Sequence, residues 1–143
     1  MRTLGFLYAI GAAVTWGLAY AIDQKVLEKI SPISFLFISS FFTVLVLLPF
    51  FVADRGWLKT ITNADQTTVW LMALSVVLVA LANYFILSSI QILGASTASA
   101  FEIAYPFFVA LFCLVVFGQM INGYFAIGAV LIFAGAWIIM RFT

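Results

Sequence analysis

The sequence predicts an all-α integral membrane protein, a bundle of five transmembrane helices. Three observations carry that expectation. Of 143 residues, 66% are hydrophobic and only 8% are charged, where a soluble domain carries roughly 25% charged residues. Sixteen Phe, four Trp and five Tyr put bulky apolar rings on every face of the chain, which suits lipid rather than water. The apolar residues also fall into five separate runs, each close to the roughly 20 residues that cross a bilayer as a helix. Helices are the only open structures that satisfy their own backbone in lipid.

The runs extend from Leu4 to Ile22, Ile33 to Val52, Val69 to Ile90, Ala95 to Phe117 and Tyr124 to Met140. The first break, DQKVLEKISP, ends in Ser31–Pro32, and a proline drives the residue before it out of helical geometry. ADRGWLKTITNADQTT is the one polar loop of real length, and LGAS and FGQMING are short turns built on glycine. Trp57, Trp70, Trp137 and Tyr124 fall near predicted span ends, where aromatic rings favour the headgroup region. The N-terminal stretch has a basic first step and an A-x-A triplet at Ala19–Ala21. It is apolar for longer than a signal-peptide core, which has roughly 7–15 residues, so it is expected to stay as the first span.

Composition also excludes several functions. A net charge of +1 gives nothing for nucleic acid to bind, and the absence of His with a single Cys, Cys113, removes disulfides and the common metal sites. No cofactor or metal is expected. One acid with no His and no nucleophile–base pair leaves little for an enzyme to work with.

The helix faces differ. In the first span Leu7, Ile10, Val14 and Leu18 form one stripe, and Gly5, Tyr8, Ala12, Thr15, Trp16, Ala19 and Asp23 lie opposite. In the third, Ala80, Asn83, Tyr84 and Gln91 lie together. In the fourth, Ala95, Ser99, Glu102, Pro106, Ala110 and Cys113 share a stripe of small residues plus one acid. Gly128 and Gly135 repeat at seven on the fifth. Small faces let membrane helices approach closely, so Gly128 and Gly135 are expected to pack. Asn83 fits an interhelical hydrogen bond, and Trp16, Tyr20 and Tyr84 fit either packing or a ligand-lined space.

Glu102 stands apart. It is the only charged residue between Asp65 and Arg141, and a charge at the bilayer centre costs about 2.5–3.5 kcal/mol on insertion scales. The protonated form costs less. Two roles fit: a neutral Glu102 could bond across helices and lock the bundle, or it could face a cavity or ion pathway, as intramembrane acids usually do. Pro106, one turn on, donates no hydrogen bond to the Glu102 carbonyl. It is expected to kink the span there and leave polar backbone beside the acid, as in transporter sites, or simply to be a tolerated kink.

Residues 92–140, beginning ILGASTASAFEIAYPFF and ending IGAVLIFAGAWIIM, carry a resemblance. The GAS-x-AS entry to the fourth span, Pro106 followed by apolar residues, the Phe117–Gly118 turn and the final glycine-containing span resemble an EamA-type domain of the drug/metabolite transporter superfamily. TWGLAYA in the first span is similar to that family's early Trp–Gly signature. The likeness covers residues 1–143 as a single five-helix repeat. It implies half of a ten-helix transporter with two inverted repeats around a central cavity, moving small metabolites or drug-like solutes. Two departures stand out: Tyr105 precedes the proline where the family often has Glu, with Glu102 one turn earlier, and Gln119 follows the Phe–Gly turn where an acid is common.

With one repeat, a family-like cavity needs a second copy inserted the other way up. With the N-terminus inside, Arg2, Arg55 and Lys59 lie on one side and Lys25, Lys29 and Arg141 on the other. Orientation follows the Lys/Arg bias of the loops, and three against three gives none. Dual topology fits, as does one orientation set by the first helix. Two functions follow: a secondary transporter in the cytoplasmic (inner) membrane, working as an antiparallel homodimer on a small-molecule substrate, or a non-transporting scaffold or accessory subunit. In the first, Glu102 couples to a proton or cation, with Asn83, Tyr84, Trp16, Tyr20 and Tyr105 around the substrate and Pro106 as hinge.

Overall fold

A computed structural model describes residues 2–54, 56–120 and 122–142. Arg55, one of the cations weighed above, lies outside them, as does the side chain of Arg2. The described chain is helical with no strands among the described residues: α1 (Arg2–Leu27), α2 (Pro32–Ala53), α3 (Trp57–Thr62), α4 (Gln66–Leu93), α5 (Ala95–Glu102), α6 (Tyr105–Phe117) and α7 (Gly123–Phe142). Five stretches are long and apolar enough to cross a membrane: Thr3–Leu27, Pro32–Ala53, Gln66–Leu93, Ala95–Phe117 and Gly123–Phe142. Phe37, Phe50, Val76 and Val115 are each 70% exposed or more. Such a surface is stable against lipid and not against water.

Three elements differ from the sequence expectation. α1 continues to Leu27, five residues past Ile22. Asp23, Gln24 and Lys25 are polar without breaking a helix, and Lys25 in the last turn complements the negative end of the helix dipole. The polar loop holds the short helix α3. The fourth span is two helices, and its break falls at Ile103–Ala104, ahead of Pro106.

The chain forms two compact units. In Val26–Ser88, Ser31 caps α2 by accepting from the Ser34 amide at 3.3 Å, with Pro32 just inside the helix where its missing N–H costs nothing. At the other end the Gly56 amide donates to Asp54 Oδ1 at 2.9 Å, and the Phe51 and Trp57 rings stack 4.4 Å apart, turning the chain into α3. Asp65 then caps α4, its carboxylate accepting from the Thr68 amide and hydroxyl.

The other unit comprises Met1–Lys25 and Ser89–Thr143. Here α5 and α6 both pack against α7. Phe107 of α6 is set edge-on to Phe133 of α7 at 5.3 Å, and Ala129 and Ala136 of α7 are buried. Gly118, at φ 65°, ends α6: its amide donates to Leu114 O and the Gln119 amide to Cys113 O, the paired closure that a left-handed residue permits. Among the described residues, Gly128 and Gly135, expected to pack, face open space. A Cβ built on either meets no atom within 4 Å, because the face turned inward belongs to the alanines one position on.

Candidate functional site

α1 supplies one wall. Trp16, Tyr20 and Gln24 follow at intervals of four, so they lie on one helix face. The Trp16 and Tyr20 rings sit 5.4 Å apart at 53°, and Tyr20 is buried to 8% exposure while Trp16 stays half-exposed. A buried phenol needs a partner for its hydroxyl. Tyr20 Oη donates to Glu102 Oε1 at 2.9 Å, a bond that joins residues 82 positions apart.

Glu102 stands at this point because α5 ends on it. Pro106 has no N–H to offer the Glu102 carbonyl, and the next turns tighten: Ala104 N donates to Phe101 O and Phe107 N to Ala104 O, each three residues apart. The helix restarts at Tyr105 with Pro106 in its first turn, a position that suits proline. The expected kink is thus a break between two helices, two residues upstream of the proline. Tyr105 is 61% exposed, and Glu102 is half-buried. A half-buried carboxyl holding a phenol, at an interruption in a spanning helix, can bind and release a proton or accept a donor from a ligand.

At the other end of α5, Gln24 Oε1 accepts from the Ala95 amide at 2.7 Å. Sequence reasoning missed Gln24. Its only signal was a place one turn beyond Tyr20, and its partner depends on a backbone turn at Gly94.

Asn83 and Tyr84 belong to the other unit. Asn83 Nδ2 donates to Val79 O of its own helix at 2.9 Å, and the residue lines a groove with Ser40 and Ser75 between α2 and α4. Tyr84 is 40% exposed, its ring 5.9 Å from that of Phe85. Of the expected site residues, then, Tyr20 meets Glu102 and Trp16 sits against Tyr20.

With this arrangement in view, the comparison with known families is direct: residues 3–141 match the model of the EamA-like transporter family. The chain belongs to the EamA-like transporter family. Comparison with curated proteins and with solved structures gives no match. As an EamA protein it is a multi-pass membrane protein of a family of transporters in the drug/metabolite transporter superfamily. The Trp16–Tyr20 pair lies in its early Trp–Gly segment and Glu102 in the span before the Phe117–Gly118 turn.

Proposed function

We propose that this chain is a secondary transporter of a small metabolite or drug-like solute in the cytoplasmic membrane, with Glu102 as its proton- or cation-binding group. The observation that carries this is the Tyr20–Glu102 hydrogen bond at the break in the fourth span. Tyr20 orients the carboxyl, and the tightened turns at Ile103–Ala104 leave it at the end of a helix rather than inside one. Trp16 and Tyr105, both more than half exposed, offer aromatic faces near the same residues. Asn83, Tyr84 and the groove beside Ser40 and Ser75 serve the solute in this view. A second copy, inserted in the opposite orientation, completes the cavity, in keeping with the balanced Lys/Arg distribution.

The same bond also supports a second role, in which Glu102 locks α1 to α5 and the protein is a scaffold. Glu102→Gln separates the two. It keeps the shape and an acceptor for Tyr20 while removing the ionisable proton. In proteoliposomes it should abolish flux driven by a pH gradient with the helices intact. A pH–flux curve like that of the wild type would return Glu102 to the locking role.

A further inference from the structure

We propose that Gln24 is a positioning residue for Glu102: its carboxamide oxygen fastens the start of α5 to α1 and thereby sets where the end of α5 stands relative to Tyr20. The proposal rests on the reading of Glu102 as the transport group. α5 is eight residues long and starts without a cap of its own. Gly94 occupies the cap position at φ 82° and ψ 157° and has no side chain to offer. The first amides of a helix have no partner inside it, and in a chain that spans lipid an unsatisfied amide is expensive. Gln24, 71 positions away, takes the Ala95 amide at 2.7 Å. A side chain from another helix therefore does what a cap residue does locally.

The two contacts of α1 bracket α5. Gln24 meets its first residue and Tyr20 meets its last, so the helices run antiparallel. Partners seven residues apart on α5 are separated by about 10.5 Å, while their holders four apart on α1 are separated by about 6 Å. The long arms of Tyr and Gln span the difference. Ala95 and Ala98 are buried, and such small residues let helix backbones come close.

Both flanks of α5 are breaks: Gly94 on one side and the tightened turns at Ile103–Ala104 on the other. With helix continuity interrupted at each end, the side-chain contacts to α1 fix the placement of the Glu102 carboxyl. On α1 itself Asp23 is the ionisable group nearest in sequence to Gln24 and Tyr20, apart from Lys25. α7, which packs on α5, carries ionisable groups only near its ends, at Tyr124 and Arg141, and α6 carries Tyr105 and Cys113.

The test uses the full chain in lipid nanodiscs, with the ¹³C signal of the Glu102 carboxyl assigned through Glu102→Gln. Tyr20→Phe gives the reference signal for a carboxyl without its phenol. Gln24→Met keeps the arm and loses the acceptor. Ala95→Pro removes the donor instead, at the first position of a helix where proline is well placed, so the proposal stays testable if either variant fails to fold. Each should move the Glu102 signal toward that of Tyr20→Phe and speed amide exchange in residues 96–102 by about two- to tenfold, the worth of one hydrogen bond. Gln24→Glu, which keeps an acceptor at the same reach, should restore slow exchange. If exchange rises while the Glu102 signal stays at its wild-type position, Gln24 is a helix cap alone and the positioning role is overturned; unchanged exchange and signal overturn it as well. A signal that moves as expected, in a protein whose flux ignores pH, leaves Gln24 in place and removes the transport role of Glu102 instead.

Discussion

The phenol of Tyr20 and the carboxyl of Glu102 share a 2.9 Å hydrogen bond between α1 and the last residue of α5. Phe at position 20 would fill the same space and leave the acid without its donor. A hydrogen bond contributes about 0.5–1.5 kcal/mol. Tyr20→Phe should therefore cut proton-driven flux by about two- to tenfold, as measured in proteoliposomes, while circular dichroism still shows the wild-type helix content. Undiminished flux would mean that the carboxyl works without the phenol.

Gly94 and Gly118 both have positive φ, and they should respond differently to a side chain. Gly94 lies at φ 82° and ψ 157°, a region essentially closed to other residues and costing about 1–3 kcal/mol. Its nearest neighbour, Gln24 Oε1, would be 3.6 Å from a new Cβ, so the penalty is backbone strain rather than collision. Gly94→Ala should lower the detergent-unfolding midpoint clearly. Gly118, at φ 65° and ψ 19° with open space around it, is in the left-handed region that Asn tolerates, so Gly118→Asn should be mild. Equal losses for the two would contradict this.

On α7 the sensitive positions are the alanines. Ala129→Leu and Ala136→Leu add bulk at buried positions, and overpacking of that kind costs about 1–3 kcal/mol. Gly128→Leu and Gly135→Leu meet open space and should leave the unfolding midpoint within about 0.5 kcal/mol of wild type. If the glycine variants instead separate copies of the protein on size exclusion, their face joins one copy to another.

Asp65 gives a pH dependence outside the spans. Its hydrogen bonds from the Thr68 side chain and backbone hold its pKa below the ordinary 3.8. A carboxyl lowered in this way stabilises the folded chain above its ordinary value, and the contribution is lost as pH falls through the folded one. Thermal unfolding followed as pH drops below 3.8 should show the start of α4 loosening in the wild type. Asp65→Asn, an equally good cap that does not titrate, should flatten that part of the profile.

Topology is tested by charge. Lys and Arg are balanced three against three, and two Lys added beside Arg141 would tip that balance. C-terminal reporters should then move from both sides of the membrane to one. A reporter found on one side from the outset, and unmoved by the added Lys, removes the antiparallel dimer.

The spans were legible because lipid imposes a coarse rule of length and apolarity, and five stretches among the described residues meet it. Their ends were less so. DQK reads as a stop by polarity, yet Gln24 and Lys25 are good helix formers, and α1 runs on to Leu27. Pro106 announces an interruption in the fourth span, but a proline limits several preceding residues, and only packing decides that Ile103 and Ala104 absorb it. Of the candidate site, Glu102 and Trp16 stand out in the sequence on small-residue faces, and Tyr20 only as a ring that fits either packing or a ligand-lined space. Gln24 does not, since its partner is a main-chain amide, which every residue but proline possesses and no sequence pattern marks.

Glu102 is the eighth residue of a 23-residue span, about 10.5 Å along it from Ala95 at 1.5 Å per residue. With Ala95 at the edge of a hydrocarbon core of about 30 Å, that would be about a third of the crossing. A full elementary charge moved across the membrane does electrical work of about 2.3 kcal/mol per 100 mV. A proton reaching Glu102 from the Ala95 side would cross about a third of that potential, about 0.8 kcal/mol per 100 mV. One reaching it from the Phe117 side would cross the remaining two-thirds. In the transporter proposed above, the place where α5 ends would make occupancy of the carboxyl respond to membrane voltage, and unequally from the two sides.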